Sequence, residues 1–303
     1  MRPRFTELFR TGTVIALAAA FTLTCAVPRA DAAEKLTQKT RQAWETYEKL
    51  TEQRIFEKEL KDPSHFLRLD FITAAESKTA RELLKSGKVY VQKMPPTLDD
   101  KGKEITVDNG LIHHWYGAVL IPGVKVDALL RWIQDYNSTS KYFKEVKQSK
   151  LLPPVGGDSS DTYRVFLRLT RTAAKVVTVN YNTWHTAVYF SHGAGQAYSS
   201  SRTTKIAELT GAGTPSEKEL PEGNDSGYMW RLNSYWRFKQ EGDGVLVECE
   251  SISLSRGIPT IVSFFNILSL GTIRGVIESL PRESLETTLT SMRDGVPKSS
   301  APR

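Results

Sequence analysis

The order of apolar and polar positions divides the chain into a helical first part and a strand-rich second part. Residues 34–61 are dense in charge and carry Leu36, Ala43, Trp44, Tyr47, Leu50 and Phe56 at helical spacing, with Asp62-Pro63 closing the run. Such a stripe predicts an amphipathic helix lying on the body of the protein. A second, short helix is predicted over residues 74–85, stopped by Gly87, and residues 94–103, with Pro95-Pro96 and Gly102, read as a loop. Residues 111–121 are apolar and β-prone and end at the turn Pro122-Gly123, after which residues 126–136 return to a helical period. From Tyr163 the period becomes two: Tyr163, Val165, Leu167 and Leu169 alternate with Arg164, Phe166, Arg168 and Thr170, the signature of a sheet with one dry face. Residues 176–190 and 203–209 predict two further strands, with Ser199-Ser200-Ser201 at a strand edge or turn and residues 211–227 as a long surface loop.

Residues 229–238 and 245–254 predict a hairpin. A four-residue loop, Gln240-Glu241-Gly242-Asp243, would oppose Lys239 to Gly244 and Trp236 to Val247. Trp230, Leu232, Trp236 and Phe238 then share a dry face with Val245, Val247 and Cys249. Arg231, Tyr235 and Arg237 share a wet face with Glu248 and Glu250, which makes this carboxylate pair outward ion-pair partners rather than catalytic groups. The last apolar segment, residues 260–277, has large residues on nearly every side of a helix and must be buried on more than one face. Ser269, Gly271 and Thr272 suggest a bend, and a new turn is expected at Ser279-Leu280-Pro281, with Leu285, Thr288, Leu289 and Met292 facing inward up to Gly295. Asn266 and Arg274 lie inside the apolar stretch, which argues against a membrane span.

The N-terminus adds a destination. Arg2, Arg4 and Arg10 precede an almost uncharged run, residues 13–27, and Ala30-Asp31-Ala32 follows, the three parts of a secretory signal with cleavage after Ala32. The run, at roughly 15 residues, is short of the ~20 a membrane helix needs. An uncleaved anchor and lipidation at Cys25 are the alternatives. Cleavage leaves Cys249 as the only cysteine, so the mature chain forms no internal disulfide and depends on its core. Net charge is +7, spread along the chain with no Lys/Arg block interleaved with aromatics, so nucleic-acid binding is not expected; transient contact with an anionic membrane surface is compatible with it.

Few residues suggest chemistry. His113 and His114 are neighbours on a predicted strand and point to opposite faces, so they cannot grip one metal together, and hydrogen bonding within the sheet is expected instead. No Gly-rich phosphate loop, Gly-x-Ser-x-Gly elbow or His-Glu-x-x-His is present, and no catalytic residue, metal or cofactor is assigned.

Leu111-Ile112-His113-His114-Trp115, Trp230-Arg231, Tyr235-Trp236-Arg237-Phe238, Ser253-Leu254-Ser255-Arg256 with Pro259, and Leu280-Pro281-Arg282-Glu283-Ser284-Leu285 resemble a secreted bacterial branch of the START-like superfamily. The resemblance runs from Gly110 to Val296. It implies an α+β helix-grip fold: a curved antiparallel sheet wrapped around a long C-terminal helix. Residues 1–32 would be the signal peptide, 33–109 an N-terminal helical extension packed on the main domain, 110–296 the helix-grip domain and 297–303 a disordered tail. It also implies an apolar cavity, commonly for a lipid, sterol or isoprenoid. Trp115, Trp236, Phe238, Phe264 and Phe265 would line that cavity or fill a core, and Arg256 would face an anionic head group at its mouth or pair with a nearby carboxylate or carbonyl. The function expected is binding or carriage of a hydrophobic small molecule outside the cytoplasm, in the periplasm or medium. A cyclase- or aromatase-type enzyme is the alternative, favoured if a buried histidine and carboxylate lie close together; a structural protein with a closed core is a third reading.

Overall fold

The computed structural model describes residues 36–62, 64–173, 177–193, 195–257 and 270–297, the side chains of 173, 177 and 270–278 excepted. The expected leader, Phe264, Phe265 and the tail from residue 298 lie outside the described residues.

The predicted first helix forms in two parts. Helix α1 (Gln38–Glu52) begins at Thr37, whose hydroxyl accepts the Thr40 amide proton, and passes directly into a π-helical stretch, Gln53–Glu59. Helix α2 (Ala74–Lys85) has the predicted bounds; Thr73 and Glu76 form a reciprocal capping box, and Gly87 follows the helix at φ 79°. Strand β1 (Tyr90–Lys93), which the pattern did not predict, follows, so the segment before Gly110 contributes an edge strand as well as helices.

The remaining elements are β2 (Gly110–Ile121), α3 (Val126–Gln134), α4 (Thr139–Tyr142), β3 (Val146–Leu152), β4 (Thr162–Ala173), β5 (Val177–Gly193), β6 (Gln196–Thr210), β7 (Lys218–Glu219), β8 (Arg231–Glu241), β9 (Gly244–Arg256) and α5 (Leu270–Gly295). The strands form one antiparallel sheet in the order β1-β2-β9-β8-β6-β5-β4-β3, with β7 beside the end of β6. Three expectations are corrected here. Strand β6 starts at Gln196 rather than Thr203, which places Ser199-Ser200-Ser201 inside a central strand. The α5 helix runs through Pro281 instead of restarting there. The β8–β9 hairpin closes on two residues, Gly242-Asp243, pairing Glu241 with Gly244 and Trp236 with Cys249. Gly242 at φ 61° allows that tighter turn. The register therefore moves by two residues, which keeps the paired residues of β8 and β9 on their predicted faces.

Each face of the sheet is covered. Helix α5 packs across β2 and β9 through Leu285, Leu289 and Met292, in a core with Val119, Val247, Cys249 and Phe238. The opposite face carries the α1 layer: Trp44, Tyr47, Ile55, Phe66, Leu67 and Leu69 pack on Tyr116, Tyr235, Leu246 and Ile252. Trp230, expected beside Trp236, instead precedes β8 and joins this second core. Gly117 is where α5 comes nearest the sheet: a Cβ there would lie 2.6 Å from Leu289 Cδ1 and 3.1 Å from Leu285 Cδ2. Gly117→Ala is expected to lower stability by about 1–3 kcal/mol through overpacking, read by chemical denaturation. An unchanged midpoint would mean α5 is not seated there.

Candidate functional site: a cavity between the sheet and the C-terminal helix

The α5 face of the sheet has large residues near its edges and small ones at its centre. Strand register sets one row across six strands: Tyr163, Ala187, Ser201, Ser234, Ser251 and Trp115. The neighbouring row is Tyr189, Ser199, Trp236, Cys249 and Gly117. Helix α5 packs mainly on β2, through Leu285 and Leu289, and does not fill the space above the small central residues. The result is a cavity of about 200 Å³ bounded by Ala187, Ser199, Ser201, Ser234, Trp236 and Cys249 on the sheet and by residues 281–292 of α5 above. Interiors otherwise pack to crystal density, so a void of this size needs a cause, and the missing bulk at these positions supplies it.

Three polar groups border the cavity. His185 is buried, and its Nε2 lies 2.9 Å from Thr183 Oγ1. Thr183 uses its only proton on the Leu167 carbonyl, 3.0 Å away, so it can only accept from the ring. His185 is therefore the Nε2–H tautomer, and Nδ1 remains an acceptor. Burial and then the nearby Arg171 charge push the imidazole down to about 4. The hydroxyls of Tyr136 and Tyr189 meet at 2.7 Å, and burial raises both above the usual phenol range. At the third place Glu145 accepts from Ser284 and lies 3.5 Å from Arg171 Nε. Arg171 Nε and Ser291 Oγ, both on the cavity lining, are buried without a hydrogen-bond partner among the described residues.

The candidate aromatics separate. Trp236 lines the cavity and stacks on Phe238, centroids 6.4 Å apart, whereas Phe238 is fully buried in the α5 core. Trp115 packs against the same core, beside Ser251 but outside the cavity lining. Arg256 lies away from the cavity, donating to the Asp225 carbonyl at 2.9 Å with its guanidinium 5.9 Å from the Trp230 ring centre. The serines and Ala187, His185, Tyr136 and Ser291 were not singled out from the sequence. The available signal was a period-two recurrence of Ala, Ser and Cys on the face expected to be dry.

Glu248 and Glu250 face away from the cavity, on the face predicted to be wet, but that face is buried under the α1 layer. Glu250 is 4% exposed, and its Oε1 lies 2.6 Å from His114 Nε2 and also accepts from Arg54. Burial by itself would raise this carboxyl; Arg54 and His114 outweigh it and hold the group well below the ordinary range. Glu248 accepts from Tyr116 at 2.5 Å and from the amides of Arg68 and Leu69, and burial leaves it raised in spite of them. Arg231 and Arg237 pair instead with Glu222 and Glu59. His114 also meets the Tyr47 hydroxyl, and His113 meets Ser255, so the two histidines point to different partners. Among the described residues no group of His, Cys, Asp and Glu could hold a metal ion, and no helix is long and apolar enough to cross a membrane.

No family model and no curated protein matches the chain. Solved structures do. The chain is similar to a STAR-related lipid transfer protein fragment from Xanthomonas axonopodis, with 14% identity and a TM-score of 0.40 over 68% of this chain and 98% of that one. The Zhui aromatase/cyclase from a Streptomyces species gives 10% identity and a TM-score of 0.39 over 61% and 94%. The human StarD13 lipid transfer and protein localization domain gives 9% and 0.38 over 75% and 98%. These neighbours are START-type proteins, in keeping with the helix-grip order of elements seen here. At such identities and scores they carry no argument about activity, which has to come from the cavity itself.

Proposed function

We propose that this chain binds a small, largely hydrophobic molecule between the sheet and α5, and that it does so outside the cytoplasm. The observation that carries the proposal is the row of small residues at the centre of the α5 face, which borders a cavity of about 200 Å³. An apolar cavity of ~150 Å³ is enough to hold benzene, so a compact ring or short chain fits here. Burial at ~25 cal/mol per Å² is the main source of affinity, and Arg171 Nε and Ser291 Oγ offer donors to one polar end. The extracytoplasmic part rests on the N-terminal pattern, and N-terminal sequencing of exported protein should begin at Ala33.

The cyclase-type alternative draws on His185 and the Tyr136–Tyr189 pair. An imidazole pushed down to about 4 is a weak base near pH 7, and the close His114–Glu250 pair lies on the other face of the sheet. Binding without turnover fits better. Ala187→Leu places a side chain inside the cavity and is expected to abolish uptake of an apolar probe such as m-xylene, with stability within about 1 kcal/mol of wild type because the space already exists. Unchanged uptake, read by quenching of Trp236, would mean that the ligand sits elsewhere.

A further inference from the structure

The cavity is lined by more hydroxyls than an apolar site requires. Ser201, Ser234 and Ser251 are directly opposite one another on β6, β8 and β9, so their side chains leave the sheet on the same side, and all three border the cavity. Neighbouring strands are ~4.8 Å apart, which sets the spacing of the three hydroxyls. Ser234 Oγ accepts from Trp236 Nε1 at 3.1 Å, so its proton is free to be donated. Ser201 and Ser251 make no side-chain hydrogen bond among the described residues. Across the cavity, on α5, Ser291 is 4% exposed and its Oγ has no partner among the described residues. Leaving a buried hydroxyl unpaired is costly, and a ligand oxygen would satisfy it. His185 Nδ1 adds an acceptor at the same cavity, as its Nε2–H is committed to Thr183.

We infer that the ligand is a compact molecule bearing two or more oxygen functions, at least one of them a hydroxyl, which the serine row and Ser291 read on either side of an apolar body. The inference rests on the cavity being a binding site and narrows what it takes. Two oxygens in 1,3 relation on a six-membered ring stand ~4.8 Å apart, the strand spacing, so adjacent members of the row can each engage one.

Resorcinol and m-xylene are matched in size and differ only in two hydroxyls against two methyls. An apolar cavity would favour m-xylene by about twofold to thirtyfold per hydroxyl replaced, the octanol-scale cost of burying that group. Calorimetric titration of the full chain is expected to give resorcinol an affinity equal to or above that of m-xylene. Ser201→Ala and Ser251→Ala should each weaken resorcinol by about threefold to tenfold without weakening m-xylene, and circular dichroism checks that the variants are folded. Tighter binding of m-xylene, or serine variants without effect on resorcinol, overturns the inference while leaving the binding site in place. If neither probe binds, the binding reading falls and this inference with it.

Discussion

Glu59→Gln is expected to remove about 3–5 kcal/mol of stability, the usual result of breaking a buried ion pair from one side. Glu59 sits at the end of the π-helical stretch and receives Arg54 at 2.7 Å, Arg68 at 2.9 Å and Arg237. The Glu59 and Arg237 side chains are only 5% and 6% exposed. Without the carboxylate, Arg237 keeps the Phe66 carbonyl, at 3.1 Å, and the nearby Glu248, while its charge stays under the α1 layer with no ion pair in hydrogen-bond contact. Arg54 retains Glu250, so the loss falls mainly on Arg237 and on the seating of residues 53–70. Urea denaturation measures the total, and hydrogen exchange in α1 and β8 shows where protection is lost. Glu222→Gln is the reference: Glu222 joins Arg41 and Arg231 with 42% of its side chain exposed, and should change stability by less than about 1 kcal/mol. Equal effects of the two variants would show that the cluster on the α1 face does not hold the N-terminal segment down.

Acidification should cost the fold about 3 kcal/mol through His185 alone. The unfolded chain takes a proton at the ordinary value of 6.5, while the folded imidazole waits until about 4. Above pH 6.5 the ring is neutral in both states and this stability is fully present. As pH falls below 6.5 the unfolded state binds the proton first, so stability declines, and the decline levels off near pH 4. His185→Gln is neutral throughout and can keep a donor to Thr183. The difference in unfolding free energy between wild type and variant should therefore shrink by about that amount from pH 7 to pH 4. A difference that stays constant would mean the imidazole is not held neutral, and the acceptor role of Nδ1 would be lost with it.

Local chemistry was legible where one element carried its own signal. The bounds of α2 were legible with Gly87 as the stop; the period of Val165, Leu167 and Leu169 gave β4 its faces; and the parity of β8 and β9 survived a two-residue error in register. Strands β1 and β3 were missed because each is short and lies at an edge, where few residues are buried on either face and little alternation is left. Ser199-Ser200-Ser201 read as a turn because serine is a poor strand former, and only pairing with β5 and β8 makes it central. The resemblance led to an apolar cavity lined by aromatics; the walls found are mixed, with Leu167, Leu169, Leu232, Leu285 and Met292 beside serines and threonines, and with Trp236 alone of the described candidates on the lining.

The sequence by itself determined which residues share a face of β4, β8 and β9 and where α2 starts, because those properties depend on neighbours two to four positions away. It did not determine which face is wet. Arg237, Glu248 and Glu250 alternate like solvent-facing charges, and only the docking of residues 36–70, nearly two hundred positions earlier, buries them and supplies Arg54, Glu59 and Arg68 as partners. The cavity is likewise a property of the assembly. Ala187, Ser201, Ser234 and Ser251 are unremarkable on their own strands, and they border a cavity only when register sets them side by side beneath α5.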